Sequence, residues 1–151
     1  MTIREVLLII LEWIWCFPQM FLGWLLRILF FRKKDKVVLD DIPELGKITY
    51  YVTYNSKLPA WFGASGVSLG RYILFKVPEK YTPWVKVSEI TVRHECGHTK
   101  QSRILGPLYL IIVGIPSFTF NIMSRFNRKF ASDYYNRFPE NWADKLGYVE
   151  R

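Results

Sequence analysis

Histidine is almost missing from this chain: 151 residues hold only two, His94 and His98. Cysteine is as scarce, with Cys16 in an apolar run and Cys96 between the two histidines. So separated in context, the two thiols are not expected to pair, and unpaired thiols fit a reducing compartment. No C-x-x-C finger pair occurs, nor any Gly-rich or Ser-rich RNA-binding tract or RNP-like aromatic motif, so nothing points to nucleic acid. Internal repeats and low-complexity segments are absent too. Negative charge is in deficit, 13 Asp+Glu against 21 Lys+Arg, leaving a net +8.

Apolar and aromatic residues are plentiful. Half the chain is hydrophobic, with 6 Trp, 9 Tyr and 11 Phe. A net positive charge favours acidic partners, and with this composition anionic lipid headgroups are expected rather than nucleic acid. The length suffices for one domain and a small appendage.

The first segment, VLLIILEWIWCFPQMFLGWLLRILFF, is apolar except for Glu12, Gln19 and Arg27. As one helix it would span roughly 39 Å at ~1.5 Å per residue, enough for a bilayer. Pro18 interrupts it and removes a backbone donor. Three arrangements fit: one kinked transmembrane helix, two short helices in the interface that bend at Pro18-Gln19, or a pair of buried core helices. Glu12 and Arg27 oppose full insertion, at ~2.5–3.5 kcal/mol for a charge at mid-bilayer, whereas Trp13, Trp15 and Trp24 suit interfacial depth. Residues 1–31 are therefore expected to form an apolar membrane-associated segment, followed by a basic linker at 32–36 (Arg32-Lys33-Lys34-Asp35-Lys36). If the segment crosses, the positive-inside bias leaves the domain at 37–151 on the cytoplasmic side. If it lies flat, those charges meet anionic headgroups at ~1 kcal/mol each.

From residue 37 to 80 the pattern is β. KITYYVTYN and GRYILFKV are the better strands, Val37-Val38-Leu39 is a poorer one, and loops are expected at 55–59 and 63–70. From Thr82-Pro83 the pattern turns helical, with Pro83 or Ser88 at the start and Gly106-Pro107 as the stop. LYLIIVGIPSFTF is too short to span comfortably; a core helix or a second membrane contact fits it, with core packing slightly favoured. Pro139 opens and Gly147 closes a last short helix. The fold class is α+β: a small antiparallel sheet, a motif-bearing helix and C-terminal helices.

On that helix lies HECGH. Residues four apart share a face, about 6 Å apart along the axis, so His94 and His98 can hold one Zn²⁺. Glu95 lies one step around, a poor ligand but well placed as general base toward water activated at the metal. Gly97 weakens the helix by up to ~1 kcal/mol, which calls for a close approach of another backbone or a substrate there. Gln101 shares the histidine face and is expected to donate a hydrogen bond into the site. The competing interpretation is a pair of ordinary helix histidines. A catalytic zinc needs a third protein ligand and an open position. Position 104 is Ile104, so the extended pattern with a third histidine fails. A carboxylate, Cys or Tyr must serve, and Glu140, Asp133 and Asp144 compete. An acidic residue in a first helical turn, as Glu140 is, is also favoured by the helix dipole alone.

The pair HECGH and Glu140-x-x-x-Asp144 resembles the Glu-zincin arrangement. By that resemblance Glu140 binds the metal and Asp144 orients His94. HECGHTKQS, GPLYLIIVGIPS and ENWADKLG are together similar to a group of small bacterial and phage-like zincin-type metallopeptidases. Those also carry an apolar N-terminal segment with a Pro-Gln pair, matched by Pro18-Gln19. The likeness touches most of the chain and is most specific over 63–147. It implies a minimal zincin-like domain, a zinc cofactor held by His94, His98 and Glu140, and peptide-bond hydrolysis with Glu95 as base. Cys96 stands at a variable position of the motif, where a thiol can oxidise or compete for metal. Tyr134 or Tyr135 can stabilise an oxyanion, and GRYILFKV is the expected partner of an extended peptide substrate. The expected function is a membrane-associated zinc metallopeptidase, with membrane lipids and a peptide or protein as partners. Because the chain is short for a protease, a homo-oligomer or partner protein can complete its cleft. The alternative is a membrane-bound interaction module with non-catalytic zinc.

Overall fold

The computed structural model describes residues 2–31, 36–53, 66–77 and 87–151. The basic residues 32–35, the loop at 55–59, Gly63 and Pro83 lie outside the described residues.

Helix α1 (Ile3–Trp15) starts on a capping box: the Thr2 hydroxyl accepts from the Glu5 N–H, and the Glu5 carboxylate accepts from the Thr2 N–H at 2.7 Å. It ends at Cys16, and α2 (Phe17–Phe30) begins at once with Pro18 in its first turn, where a missing N–H breaks no helical bond. The two helices meet at 100°. Among the described residues no single helix is long and apolar enough to cross a membrane, although the bent pair together has the length and composition of a broken span. The bend rests on the end of the motif helix. Trp15 Nε1 donates to the Arg103 carbonyl at 2.9 Å, and Gln19 Nε2 to the Gly106 carbonyl at 2.8 Å and Ser102 Oγ at 2.9 Å. A helix leaves its last carbonyls without helical partners, and these side chains supply the missing donors. Glu12, the charge that opposes insertion, pairs with Arg103 at 2.7 Å.

Among the described residues four strands follow: β1 (Lys36–Ile42), β2 (Gly46–Thr53), β3 (Gly66–Leu69) and β4 (Tyr72–Lys76). Their order is β1-β2-β4-β3, and β2 and β4 run parallel. The sheet is therefore mixed, which corrects the expected antiparallel arrangement. The cause is which strand of the β3–β4 hairpin goes inside. Tyr72, Ile73, Leu74 and Phe75 are all buried, so β4 needs cover on both faces and takes the interior position. That position points it the same way as β2. The short GVSL segment is left at the edge, a strand where a flexible stretch was expected.

Alternation along β4 divides the core in two. Ile73 and Phe75 join Tyr50, Val52, Val92 and Cys96 between the sheet and the motif helix. Tyr72 and Leu74 join Cys16 and Met20 between the sheet and the α1–α2 bend.

Helix α3 (Glu89–Leu105) begins after Ser88 and stops at Gly106, which has φ 54°. Helix α6 (Glu140–Gly147) packs across it at close range. A Cβ on Gly97 would run into the Ala143 carbonyl, and one on Gly147 into the Arg93 carbonyl. The close approach expected at Gly97 is thus made by the backbone of α6.

Between these helices the chain forms a 3₁₀ turn (Gly106–Leu108), a π-helical turn (Leu110–Gly114), α4 (Ile115–Phe126), α5 (Arg128–Ser132) and a second 3₁₀ turn (Tyr134–Asn136). Pro116 can donate no hydrogen bond to residue 112, and a wider π turn accommodates it. Core packing for LYLIIVGIPSFTF holds only at Tyr109 and Val113, which are buried; Leu108, Ile111, Ile112, Ile115 and Phe118 are exposed, as the alternative of a membrane contact would have them.

Candidate metal centre

Helix periodicity places His94, Glu95 and His98 toward α6 and β3, and all three are buried. Glu140, in the first turn of α6, is fully buried and faces both imidazoles. Its Oε2 lies 3.1 Å from His94 Nε2 and 3.3 Å from His98 Nε2. The three side chains offer ligand atoms within 4.8 Å of one another. Among the described residues this is the cluster able to hold a metal ion.

The other ring nitrogens are engaged from behind. His94 Nδ1 lies 2.6 Å from Asp144 Oδ1, and His98 Nδ1 lies 2.7 Å from Gln101 Oε1. Gln101 Nε2 donates to the Pro139 carbonyl at 2.9 Å, which turns the amide oxygen toward His98. Gln101 therefore accepts from the site, the reverse of the expected donation. Both Nδ1 atoms then carry hydrogen and both Nε2 atoms are directed at the ligand position. Asp144 is held in turn by Arg151, with Nε to Oδ2 at 2.7 Å.

A bound cation fits this arrangement on an independent observation. Glu140 Oε1 is buried without a hydrogen-bond partner, and an orphaned carboxylate oxygen is costly unless a charge meets it. The Ser117 and Tyr134 hydroxyls approach the Glu140 carboxylate closely enough to act on its charge as hydrogen-bond donors, but neither reaches full hydrogen-bond geometry at Oε1.

Charge follows the same pattern. Burial disfavours ionised Glu140, yet hydrogen bonds from His94 and His98 outweigh it and hold the carboxyl well below the usual range. Burial also opposes charge on His94. Bonds to Asp144 and Glu140, with the nearby charges of Glu95 and Glu140, win, and the imidazole is pushed up to about 9. Asp144 is lowered: burial opposes the charge, but His94 and Arg151 prevail. Burial raises the Tyr134 and Tyr135 phenols, which stay protonated donors.

Glu95 stands beside the cluster, not in it. The Ser68 hydroxyl, on edge strand β3, lies 2.8 Å from both the Glu95 carbonyl and its Oε2, one proton facing two acceptors. The buried Tyr109 hydroxyl donates to the Ser68 carbonyl at 2.9 Å. Tyr135 sets its ring edge-on to His94, with Arg151 over its face.

The structure thus brings His94, Glu95, His98, Gln101, Glu140 and Asp144 into one site. Asp133 stays outside, paired on the surface with Arg137 at 2.8 Å. Cys96 is one step around α3, packed in the core against the sheet. Burial pushes its thiol up to about 12, so it is poorly suited to compete for metal or oxidise. Ser68 and Arg151 were missed. Ser68 lies in a stretch without strand patterning, and Arg151 is one of many scattered basic residues. GRYILFKV, the expected substrate partner, is interior strand β4; the edge beside the motif helix is β3.

Above the cluster lies a cavity of about 520 Å³. His94, Glu95, His98 and Glu140 line it, together with β3, Leu22 and Leu26 of α2, and residues from Tyr109 to Asn121. No family model, curated protein or solved structure matches this chain.

Proposed function

We propose that this chain is a membrane-associated, zinc-dependent peptidase. The observation that carries the reading is the convergence of two imidazoles and a buried carboxylate, one of its oxygens without a partner, at a cavity that Glu95 also lines. Two nitrogens and one oxygen, each fixed by a further hydrogen bond or by burial, form the donor set of a catalytic zinc. A structural zinc would take a fourth protein ligand, and the cluster among the described residues has three.

His94, His98 and Glu140 would hold the ion, with Asp144 and Gln101 keeping both rings oriented. Zinc in such a site supplies Lewis acidity toward water and the scissile carbonyl. Glu95 removes the proton of the attacking water and returns it to the leaving amine. Ser68 sets the direction of its carboxylate. Protonated Tyr134 and Tyr135, both at the cavity, are the available donors to a developing oxyanion. An extended peptide can lie along the edge strand β3, whose four residues all line the cavity.

The membrane reading rests on exposed hydrocarbon. Ile3, Leu7, Leu11 and Ile14 of α1 and Phe17, Phe21 and Trp24 of α2 are all exposed, which suits helices seated in an interface. The basic residues after Phe31 would then hold the domain on the cytoplasmic side.

The deciding experiment pairs metal analysis of protein purified without a His-tag with peptide-library hydrolysis by wild type and Glu95→Gln. Expected are one zinc in both proteins and cleavage by wild type alone. Retained activity in Glu95→Gln would refute the mechanism, and metal-free protein would refute the zinc reading.

A further inference from the structure

The mouth of the cavity identifies what enters it. Residues that both line a cavity and remain exposed must stand at its rim, and here they include Leu22, Ile115 and Phe118. All three are hydrocarbon. The rim also continues outward along the helices that carry it. Leu29 follows Leu22 by seven residues on α2, and Phe118 follows Ile115 by three on α4, so each pair shares one helix face; Ile111 stands on the π turn just before α4. All of these side chains are exposed. On α2 the exposed Leu22 and Leu29 adjoin the exposed Phe21 and Ile28, so the apolar face that the proposed function seats in lipid reaches the wall of the cavity. Basic residues Arg128 and Lys129 follow α4 and are exposed, and with the net +8 they complement an anionic headgroup layer.

Resting on the peptidase reading above, we infer that the substrate is an apolar polypeptide segment lying in or on the bilayer, which reaches the metal centre through this mouth from the lipid side. The polar lining stands at the histidine cluster with its tyrosines, at Ser68, and at Ser117 and Asn121 on α4. The rest of the wall is Leu22, Leu26, Val67, Leu69, Leu110, Ile115 and Phe118, against which a polar side chain would lose its water with no hydrogen bond in return. Edge strand β3 decides between a polypeptide and a lipid chain. Apart from the Ser68 carbonyl, which Tyr109 occupies, this outer strand presents main-chain groups of the kind that an extended peptide can pair with and an acyl chain cannot. The volume of about 520 Å³ falls within the range of ligand pockets.

The test needs no turnover. Zinc-loaded Glu95→Gln protein, full length, is placed in vesicles of phosphatidylcholine and phosphatidylglycerol. It is irradiated with one of two benzophenone peptides of equal length, one with a Leu/Phe centre and one with a Ser/Gln centre, each flanked by lysines. A photoactivatable phosphatidylcholine is the third probe. The apolar peptide is expected to label α2 near Leu22 and Leu26 and α4 near Ile115–Phe118, about tenfold over the polar one. Leu22→Ser combined with Phe118→Ser, both at the exposed rim, should remove most of that preference while zinc content is unchanged. Equal labelling by the two peptides, labelling away from the cavity, or a photolipid that occupies it and excludes the peptide would each overturn the inference. Hydrolysis by the wild type separates this from the parent reading. Equal cleavage of both peptides would overturn the substrate class and leave a peptidase. Cavity labelling without any cleavage would overturn the peptidase and leave an apolar polypeptide site.

Discussion

His94 Nδ1 and Asp144 Oδ1 lie 2.6 Å apart, across the crossing of α3 and α6. This bond fixes the tautomer that presents Nε2 to the ligand position, and Arg151 secures the carboxylate from the other side. Asp144→Ala should therefore weaken zinc binding about 10–100-fold without removing a ligand. Competition titration against a chromophoric chelator measures this. An unchanged affinity would mean that packing alone orients His94.

Glu140 and Asp133 should respond in opposite ways. Glu140→Ala removes a ligand and should reduce bound zinc to a small fraction of an equivalent. Asp133→Ala breaks only an exposed pair with Arg137 and should leave metal content intact, with stability changed by about 0–1 kcal/mol. Elemental analysis of both variants would expose a wrong third ligand at once.

Gly97→Ala should be severe for a reason outside helix propensity, which by itself favours alanine. The added methyl meets the Ala143 carbonyl, so α6 must move away. Such overpacking costs about 1–3 kcal/mol, and the displaced helix carries both Glu140 and Asp144. Urea denaturation should show lower stability, and metal affinity should fall in parallel. A variant with lowered stability but full affinity would show that α6 adjusts without moving its ligands.

In the metal-free protein the His94 imidazolium is raised from 6.5 to about 9 by its carboxylate partners. A raised folded-state value stabilises the fold fully below pH 6.5, and the contribution is lost as pH rises through about 9. Zinc requires the neutral ring, so binding near pH ~7.5 should release about one proton from His94. Calorimetry in buffers of different ionisation enthalpy counts that proton. Asp144→Ala should reduce the release, because the ring would then start closer to neutral.

Gln19→Leu tests the attachment of the N-terminal bend to α3. The substitution leaves the Gly106 carbonyl without the donor that Gln19 supplies, at about 1–3 kcal/mol for a buried unsatisfied group. Thermal unfolding should shift down by several degrees. An unshifted midpoint would mean that water replaces the amide.

Much of the site was legible because helical spacing is local. HECGH puts His94 and His98 on one face from sequence alone, and Ser88 and Gly106-Pro107 bracket the helix that carries them. ENWAD, between Pro139 and Gly147, is legible as a short helix by the same punctuation. The continuous YILF run was a clue to an interior strand, yet strand direction depends on which neighbour it meets, and that is not a local property. Ser68 shows the limit most clearly. Its role exists only because the edge strand falls beside Glu95, 27 residues away in the chain.

The sequence by itself determined the helix faces, the turn points, the absence of a third histidine and the surplus of apolar and basic residues, because each follows from spacing or composition. Tertiary structure alone decided that Glu140 rather than Asp133 faces the histidines, that Gln101 accepts rather than donates, and that Leu22, Ile115 and Phe118 line one cavity with the histidine cluster. The physical reason is that ligand sets and cavities are made where separate elements cross. The α3–α6 crossing is set by two glycines that let backbones touch, a fit that no single segment contains.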